Sequence, residues 1–284
     1  MKLIATLTTM PSRIAYLEPV LLSILNQSMP PDEIHLQLPK HCLKEGCGYD
    51  LPDFIGKFSQ VKVFEHDQDF GPATKWLPAL AYLAGEEVML LVMDDDCHYS
   101  TEMVANLYEF FQKDPHQVYC STGGVLQGQK IRRFMVHEEL QNNALTVIRN
   151  NKSPLAVDTV QGFSLILFNP NLVPKELIES LQNSALTQLA DDIVLSAIFE
   201  KARINRIQIA PYQVPRPLDQ AEINPIHGEG RLTFMSMNAF QWAQRALSVW
   251  ETHEFDAEPK EPFIQSLKQR LAVFKKVIRR VKTW

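Results

Sequence analysis

The apolar run "VMLLVM" ends in Asp94, Asp95 and Asp96, with Cys97 and His98 following. Three adjacent carboxylates repel one another, and turning them into a packed core is costly. A hard divalent cation removes the difficulty, because carboxylate oxygens suit Mg²⁺ or Mn²⁺. Mg²⁺ keeps several waters and takes one or two protein carboxylates together with substrate phosphates. Two of the three aspartates would therefore serve a metal–diphosphate unit. The alternative is a solvated acidic loop that caps the helix starting near Thr101. A D-x-D-x-T nucleophile motif fails, since His98 stands where the threonine is needed.

A second acid pair, Asp191 and Asp192, opens the helical stretch "DDIVLSAIFEKARI". Adjacent carboxylates raise one another's pKa, yet the same residues serve equally as N-cap and first-turn acids. The loop "IHGEGRL" offers His227, an imidazole better tolerated by Mn²⁺ than by Mg²⁺. In the same loop Gly228 and Gly230 allow close backbone approach to a phosphate, and Arg231 can clamp it. A flexible connection is the other reading of that loop. His41, Cys42 and Cys47 lack the second ligand pair that zinc would need.

The elements that must position these groups alternate. "KLIATL", "EIHLQL", "VKVFEH", "EVMLLVM" and "QVYCST" have the length and apolarity of strands. "IAYLEPVLLSILNQ", "ATKWLPALAYLA" after "FGP", and "TEMVANLYEFFQ" carry helical spacing between them. Such alternation predicts an α/β fold with a parallel sheet and helices on both faces. In that fold the strand ending at Asp94 delivers its acids to the carboxyl edge, where ligands bind. Further on, "AVDTVQGFSLILFN" reads as strand, turn, strand, "VPKELIESLQ" as a helix and "RIQIAP" as a strand. The loop "PYQVPRPLDQAEINPIHGEG" is too polar for core, and "FMSMNAFQWAQRALSVW" is helical.

In order and spacing these motifs resemble the GT-A glycosyltransferases, over about residues 1–230. "TTMPSRIAYLEPVLLSILNQSMPPDEIHL" is similar to the family opening. "DFGPATKWLPAL" stands where the family has a glycine-containing loop with a basic residue near the diphosphate. Asp94–Asp96 matches the D-x-D motif, and "LADDIVLS" resembles the late acidic pair of inverting members. The resemblance implies a Rossmann-like, mostly parallel central sheet flanked by helices, and a nucleotide-sugar donor. It assigns Asp96 to the metal, with Asp94 as second ligand or on the donor ribose or sugar, while Asp95 orients its neighbours. Asp192 would be the general base, with Asp191 beside it. Lys75 would be a counter-charge for the diphosphate, helped by N–H groups after Gly71. Thr8 and Arg13, just beyond strand one, would touch the nucleotide, and Asp67 and Asp69 the base or ribose. Gln161 and Gly162 of "VQGFS" fall near a sugar. His227 would complete the metal shell, and Arg231 would join the donor site. One departure stands out: "LQLPKHC" has no acid where many members read uracil, so the nucleotide is open. A sugar-1-phosphate nucleotidyltransferase would want a glycine-rich loop ending in Arg, and "TLTTMPSRI" has no glycine. The remaining alternative is a catalytically silent sugar-binding or scaffold relative.

The chain of 284 residues carries a net charge of −5, which gives no reason to expect a nucleic-acid partner. Residues 263–284, "FIQSLKQRLAVFKKVIRRVKTW", hold seven Lys and Arg and no acid, which leaves −12 on the rest. Their apolar positions recur at helical spacing. That pattern predicts a basic amphipathic helix that lies on an anionic membrane surface or packs on the acidic body. The expected organisation is a catalytic domain over 1–250, a linker over 251–262 and this C-terminal helix. Four scattered cysteines and no apolar run of membrane-spanning length predict a cytoplasmic protein; the basic helix would set it on the inner membrane face, and the resemblance implies a glycan or lipid-linked acceptor.

Overall fold

Central strands of an α/β sheet are buried on both faces and so read as unbroken apolar runs. In the computed structural model β1 (Lys2–Leu7) and β4 (Val88–Val92) are such strands, and they pair in parallel. The structure describes residues 1–126, 154–182, 190–209, 215–223 and 243–250, and the backbone of 138–141 and 144–147. Between those strands come α1 (Glu18–Leu25), β2 (Glu33–Pro39), β3 (Val61–His66) and α2 (Leu77–Tyr82). After them come β5 (Cys97–His98), α3 (Met103–Phe111), β6 (Val118–Cys120), β7 (Gly123–Gly124), β8 (Glu138–Gln141) and β9 (Ala144–Val147). Then follow β10 (Leu155–Ala156), β11 (Thr159–Val160), β12 (Ile166–Phe168), α4 (Lys175–Gln182), α5 (Asp191–Lys201), β13 (Arg206–Gln208) and β14 (Arg216–Pro217).

The main sheet has the order β10-β13-β6-β12-β4-β1-β2-β3. β4, β1, β2 and β3 run parallel, as do β6 and β13. β12 runs antiparallel to both β4 and β6, and β10 is antiparallel to β13. This is the mostly parallel, helix-flanked GT-A sheet that the resemblance implied. The antiparallel strand has a consequence for the site. Ile166 pairs with Val92, so the turn leading into β12 lies at the edge where β4 delivers its acids.

Two apolar layers cover the sheet. One packs Trp76, Phe168 and Phe199 with α2, α4 and α5; the other packs Leu7, Leu21, Tyr99 and Leu107 with α1 and α3. Two helices expected to be continuous are split. A 3-10 turn at Ile14–Tyr16 precedes α1, and another at Gly71–Lys75 precedes α2. Pro19 and Pro78 are the cause: each lacks an N–H, and its ring clashes with the carbonyl four residues back, so a helix can begin there but not run through. The second split leaves Lys75 at the end of a short turn rather than inside a helix.

The loop read as too polar for core contributes β14, which pairs antiparallel with β5, and a 3-10 turn at Asp219–Glu222. Among the described residues no helix is long and apolar enough to cross a membrane. Of the helix expected through "FMSMNAFQWAQRALSVW", only 243–250 is described, with a π-helical turn at Ala243–Leu247. The linker 251–262 and the basic stretch 263–284 lie outside the described residues, as do His227, Gly228, Gly230 and Arg231.

Candidate active site

The end of β4 places three carboxylates in three different surroundings. Asp95 is buried: one oxygen accepts from Thr9 Oγ1 (2.6 Å) and the other from Arg13 Nη1 (3.2 Å). Burial pushes its carboxyl up to about 6, Arg13 pulls it down, and Asp96 adds to the rise. Asp96 shares the same guanidinium nitrogen at 3.0 Å. Its pKa is also raised, first by burial and next by Asp94, against the pull of Arg13. Asp94 turns the other way, accepting from Lys75 Nζ at 2.6 Å. None of the three caps α3, whose N-cap residue is Glu102.

Arg13 is 5% exposed, and every guanidinium nitrogen has a partner. Nε donates to Ile223 O (2.8 Å), Nη2 to Ala221 O (3.3 Å), and Nη1 to the two aspartates. The segment 218–223 thereby closes over the triplet. Leu218 N–H bonds Asp96 O (2.8 Å), and the buried Gln220 reaches Asp95 O (3.4 Å) and Tyr16 O (3.2 Å).

Lys75, expected from the sequence to face a diphosphate, is 6% exposed and ion-pairs with Asp94 Oδ1 (2.6 Å) and Asp191 Oδ2 (2.9 Å). Burial alone would lower its pKa, but Asp191, Asp94 and Asp192 together raise it well above the usual lysine range. Asp191 Oδ2 also accepts from Trp76 Nε1 at 3.3 Å. Asp192, the next residue in the first turn of α5, accepts from Gly162 N–H at 2.8 Å. Burial and the neighbouring Asp191 push its carboxyl upward, and Lys75 opposes them. A Cβ at Gly162 would lie 2.8 Å from Lys75 Nζ and 3.1 Å from Asp192 Oδ1, so only glycine fits there without displacement.

One connected constellation thus joins Arg13, Lys75, Asp94, Asp95, Asp96, Asp191, Asp192 and Gly162, with Gln161 adjacent to it. Thr8, Asp67 and Asp69 stand apart. The Thr8 hydroxyl donates to Gln37 O (2.7 Å), and Asp67 pairs with Lys40 on the surface (2.7 Å). Asp69 accepts from the N–H groups of Gly71 (2.6 Å) and Leu43 (2.7 Å), which organises the bend before Lys75. Sequence reasoning passed over Thr9, Trp76, Tyr99 and Gln220. Tyr99 clasps the Asp94 backbone, its hydroxyl 3.0 Å from the N and 3.2 Å from the O. The available signals were a second threonine after Thr8 and a glutamine between prolines; neither names its partner without the fold.

Among the described residues no three His, Cys, Asp or Glu groups gather closely enough to hold a metal by themselves. Asp94 and Asp96 nonetheless fit the two-carboxylate mode in which a diphosphate completes the shell. Their side chains are 27% and 21% exposed, and their mutual repulsion, which helps raise Asp96, is what a cation would relieve.

Residues 10–171, more than half of the chain, match Glycosyl transferase family 2. No sequence among curated proteins matches. Among solved structures the chain is similar to S. aureus TarS 1-349, with 16% identity over 87% of this chain and 73% of that one and a TM-score of 0.46. It is also similar to S. aureus TarS, with 13% identity over 86% and 44% and a TM-score of 0.49. A third similar structure is 4-diphosphocytidyl-2C-methyl-D-erythritol synthase, with 16% identity over 78% and 96% and a TM-score of 0.45.

Proposed function

The chain belongs to glycosyl transferase family 2, and on that footing we propose a metal-dependent, inverting transfer of a sugar from a nucleotide-sugar to a glycan or lipid-linked acceptor. The observation that carries this reading is the position of Lys75. Its buried ammonium lies between Asp94 and Asp191, so the acids at the end of β4 and those at the head of α5 form one site.

Asp96 and Asp94 would hold Mn²⁺ or Mg²⁺, whose chemistry is to neutralise charge on the departing diphosphate. Arg13 and Thr9 hold the triplet in register, and Asp95, its oxygens taken by those two residues, is a positioning group. Lys75 neutralises Asp191 and Asp94. Asp192 has one oxygen on Gly162 N–H, and it takes the proton of the acceptor hydroxyl while the hydroxyl oxygen bonds to the anomeric carbon and the bond from that carbon to the diphosphate oxygen breaks. A carboxylate raised above its usual range is a better match to a proton transfer near neutral pH. Attack from the face opposite the leaving diphosphate inverts the anomeric centre.

Two measurements test the reading. Thermal shift with nucleoside diphosphates and nucleotide-sugars, with and without Mn²⁺, should give stabilisation that depends on both. Asp192→Asn should lower transfer by about 10²–10⁴-fold while leaving donor binding intact, the range a general base supplies. The reading fails if transfer persists in that variant at the wild-type rate, or if the sugar arrives with its anomeric configuration retained.

A further inference from the structure

The loop between β2 and β3 folds into a hairpin that sets two thiols opposite each other. Cys42 and Cys47 form an antiparallel bridge: the Cys42 N–H donates to Cys47 O (2.8 Å), and the Gly46 N–H donates to Cys42 O (2.7 Å). Gly46, at φ 71°, makes the tight return possible. Directly opposed residues of an antiparallel pair have Cα atoms about 4.5–5.5 Å apart and side chains on the same face. That lies inside the Cα separation of about 4.4–6.8 Å that a disulfide spans. Both cysteines are free thiols in this structure.

The two differ in access. Cys47 is exposed and meets a dissolved oxidant, whereas Cys42 is 4% exposed. Burial pushes the Cys42 thiol up, Asp69 and Glu45 add to the rise, and the N–H groups of Lys44 and Glu45 oppose it. An accessible thiol beside a second that can resolve it is the arrangement of a redox-responsive pair. Cys97 and Cys120 are both buried.

The same hairpin grips the segment that holds the aspartate triplet. The Glu45 carboxylate accepts from the N–H (2.9 Å) and the hydroxyl of Ser12, and the Tyr49 hydroxyl donates to Thr9 O (2.8 Å). Thr9 and Arg13 are the residues that hold Asp95.

We propose that Cys42 and Cys47 are a site of reversible oxidation by hydrogen peroxide, at which a disulfide closes the hairpin and tightens its hold on residues 9–13. The Cys47 thiolate attacks one peroxide oxygen, the O–O bond breaks, and Cys47 becomes a sulfenic acid as hydroxide leaves. That hydroxide takes the proton of Cys42, whose sulfur then bonds to the Cys47 sulfur. The sulfenic oxygen leaves as hydroxide and takes up the proton that Cys47 first released. Two thiols are oxidised to one disulfide, and one peroxide is reduced to two waters.

Full-length protein treated with hydrogen peroxide and then with N-ethylmaleimide should yield, after trypsin, the peptide 41–44 joined through sulfur to the peptide 45–57. Dithiothreitol should separate them. Cys47→Ser should abolish the link, and Cys42→Ser should leave a Cys47 sulfenic acid that dimedone traps. In the linked protein, hydrogen exchange at the Ser12, Cys42 and Gly46 N–H groups should slow about tenfold against the reduced form, because the cross-link restricts opening of the hairpin. No linked peptide at peroxide levels that oxidise free cysteine would overturn the proposal. So would Cys47 joined only to Cys47 of a second molecule. A link with unchanged exchange at Ser12 would overturn the tightened hold on residues 9–13. If Cys42→Ser does not fold, the wild type and Cys47→Ser, altered at an exposed position, decide the same question.

Discussion

The two ends of the sheet treat carboxylates in opposite ways. At the amino end, where β1, β2 and β3 begin, the Glu33 carboxylate meets the ammonium groups of Lys2 (2.6 Å) and Lys62, and the ring of His35 (3.0 Å). Its burial would raise its pKa, yet those partners hold it down at about 2. At the carboxyl end, Asp94, Asp95, Asp96, Asp191 and Asp192 gather around Arg13 and Lys75, and Asp95, Asp96 and Asp192 are all raised. The first arrangement satisfies its charge and supports the fold. The second leaves negative charge in excess, an arrangement that a folding protein keeps where a cation or a proton is to be handled.

The largest effect should come from removing the cation that joins the two acid groups. Lys75→Met leaves Asp94 and Asp191 without their shared partner and should cost about 3–5 kcal/mol of stability, as breaking a buried pair does. Urea unfolding measures it. Adding Asp191→Asn should recover part of that loss, because one of the stranded charges is gone. If the single variant unfolds like the wild type, Lys75 does not compensate the acids. The pH dependence carries the same logic. With Asp192 as the proposed base, the rate should rise with pH through its raised pKa. Lys75 lowers that pKa, so in Lys75→Met the rising limb should move to higher pH. A limb that stays in place would separate Lys75 from the base.

Gly162→Ala comes next. The added Cβ needs space now filled by Lys75 Nζ and Asp192 Oδ1, and displacing a reacting group by a fraction of an ångström to 1 Å costs up to about 10²-fold in rate. Nucleoside diphosphate binding, which the proposal gives to the metal-holding acids after β4, should change little. A variant with normal turnover would mean that the closeness of Gly162 to the base is incidental.

Much of this contrast was legible in the residue order. The β4 run, the acids that follow it and the pair opening α5 are local patterns, and central strands advertise themselves by apolarity. What was not legible is partnership. Lys75 was expected on the resemblance to face a diphosphate, and its place between two carboxylates emerges only once Pro78 breaks the helix. Segment 218–223 reads as a polar loop because its fit depends on backbone carbonyls, which every residue carries, meeting the Arg13 guanidinium. Glu33 was likewise unremarkable, as its partners lie at the starts of three different strands.

That last cluster gives the smallest effect and the cleanest control. A carboxyl whose folded pKa lies near 2 rather than at the usual 4.5 contributes stability above pH 4.5 and loses it as the pH falls through about 2. Lys2 and Lys62 are 44% and 50% exposed, so solvent screens the pairs and the contribution at neutral pH is about 1 kcal/mol. Glu33→Gln should therefore be about 1 kcal/mol less stable than wild type at pH 7, with the gap shrinking below pH 4.5 and closing near pH 2. Raising the salt concentration should narrow it at every pH. Transfer activity should be unaffected, since the cluster lies at the end of the sheet away from the acids. A Glu33→Gln variant with wild-type stability and reduced transfer would dissolve the contrast, because the amino end would then be serving the site rather than the fold.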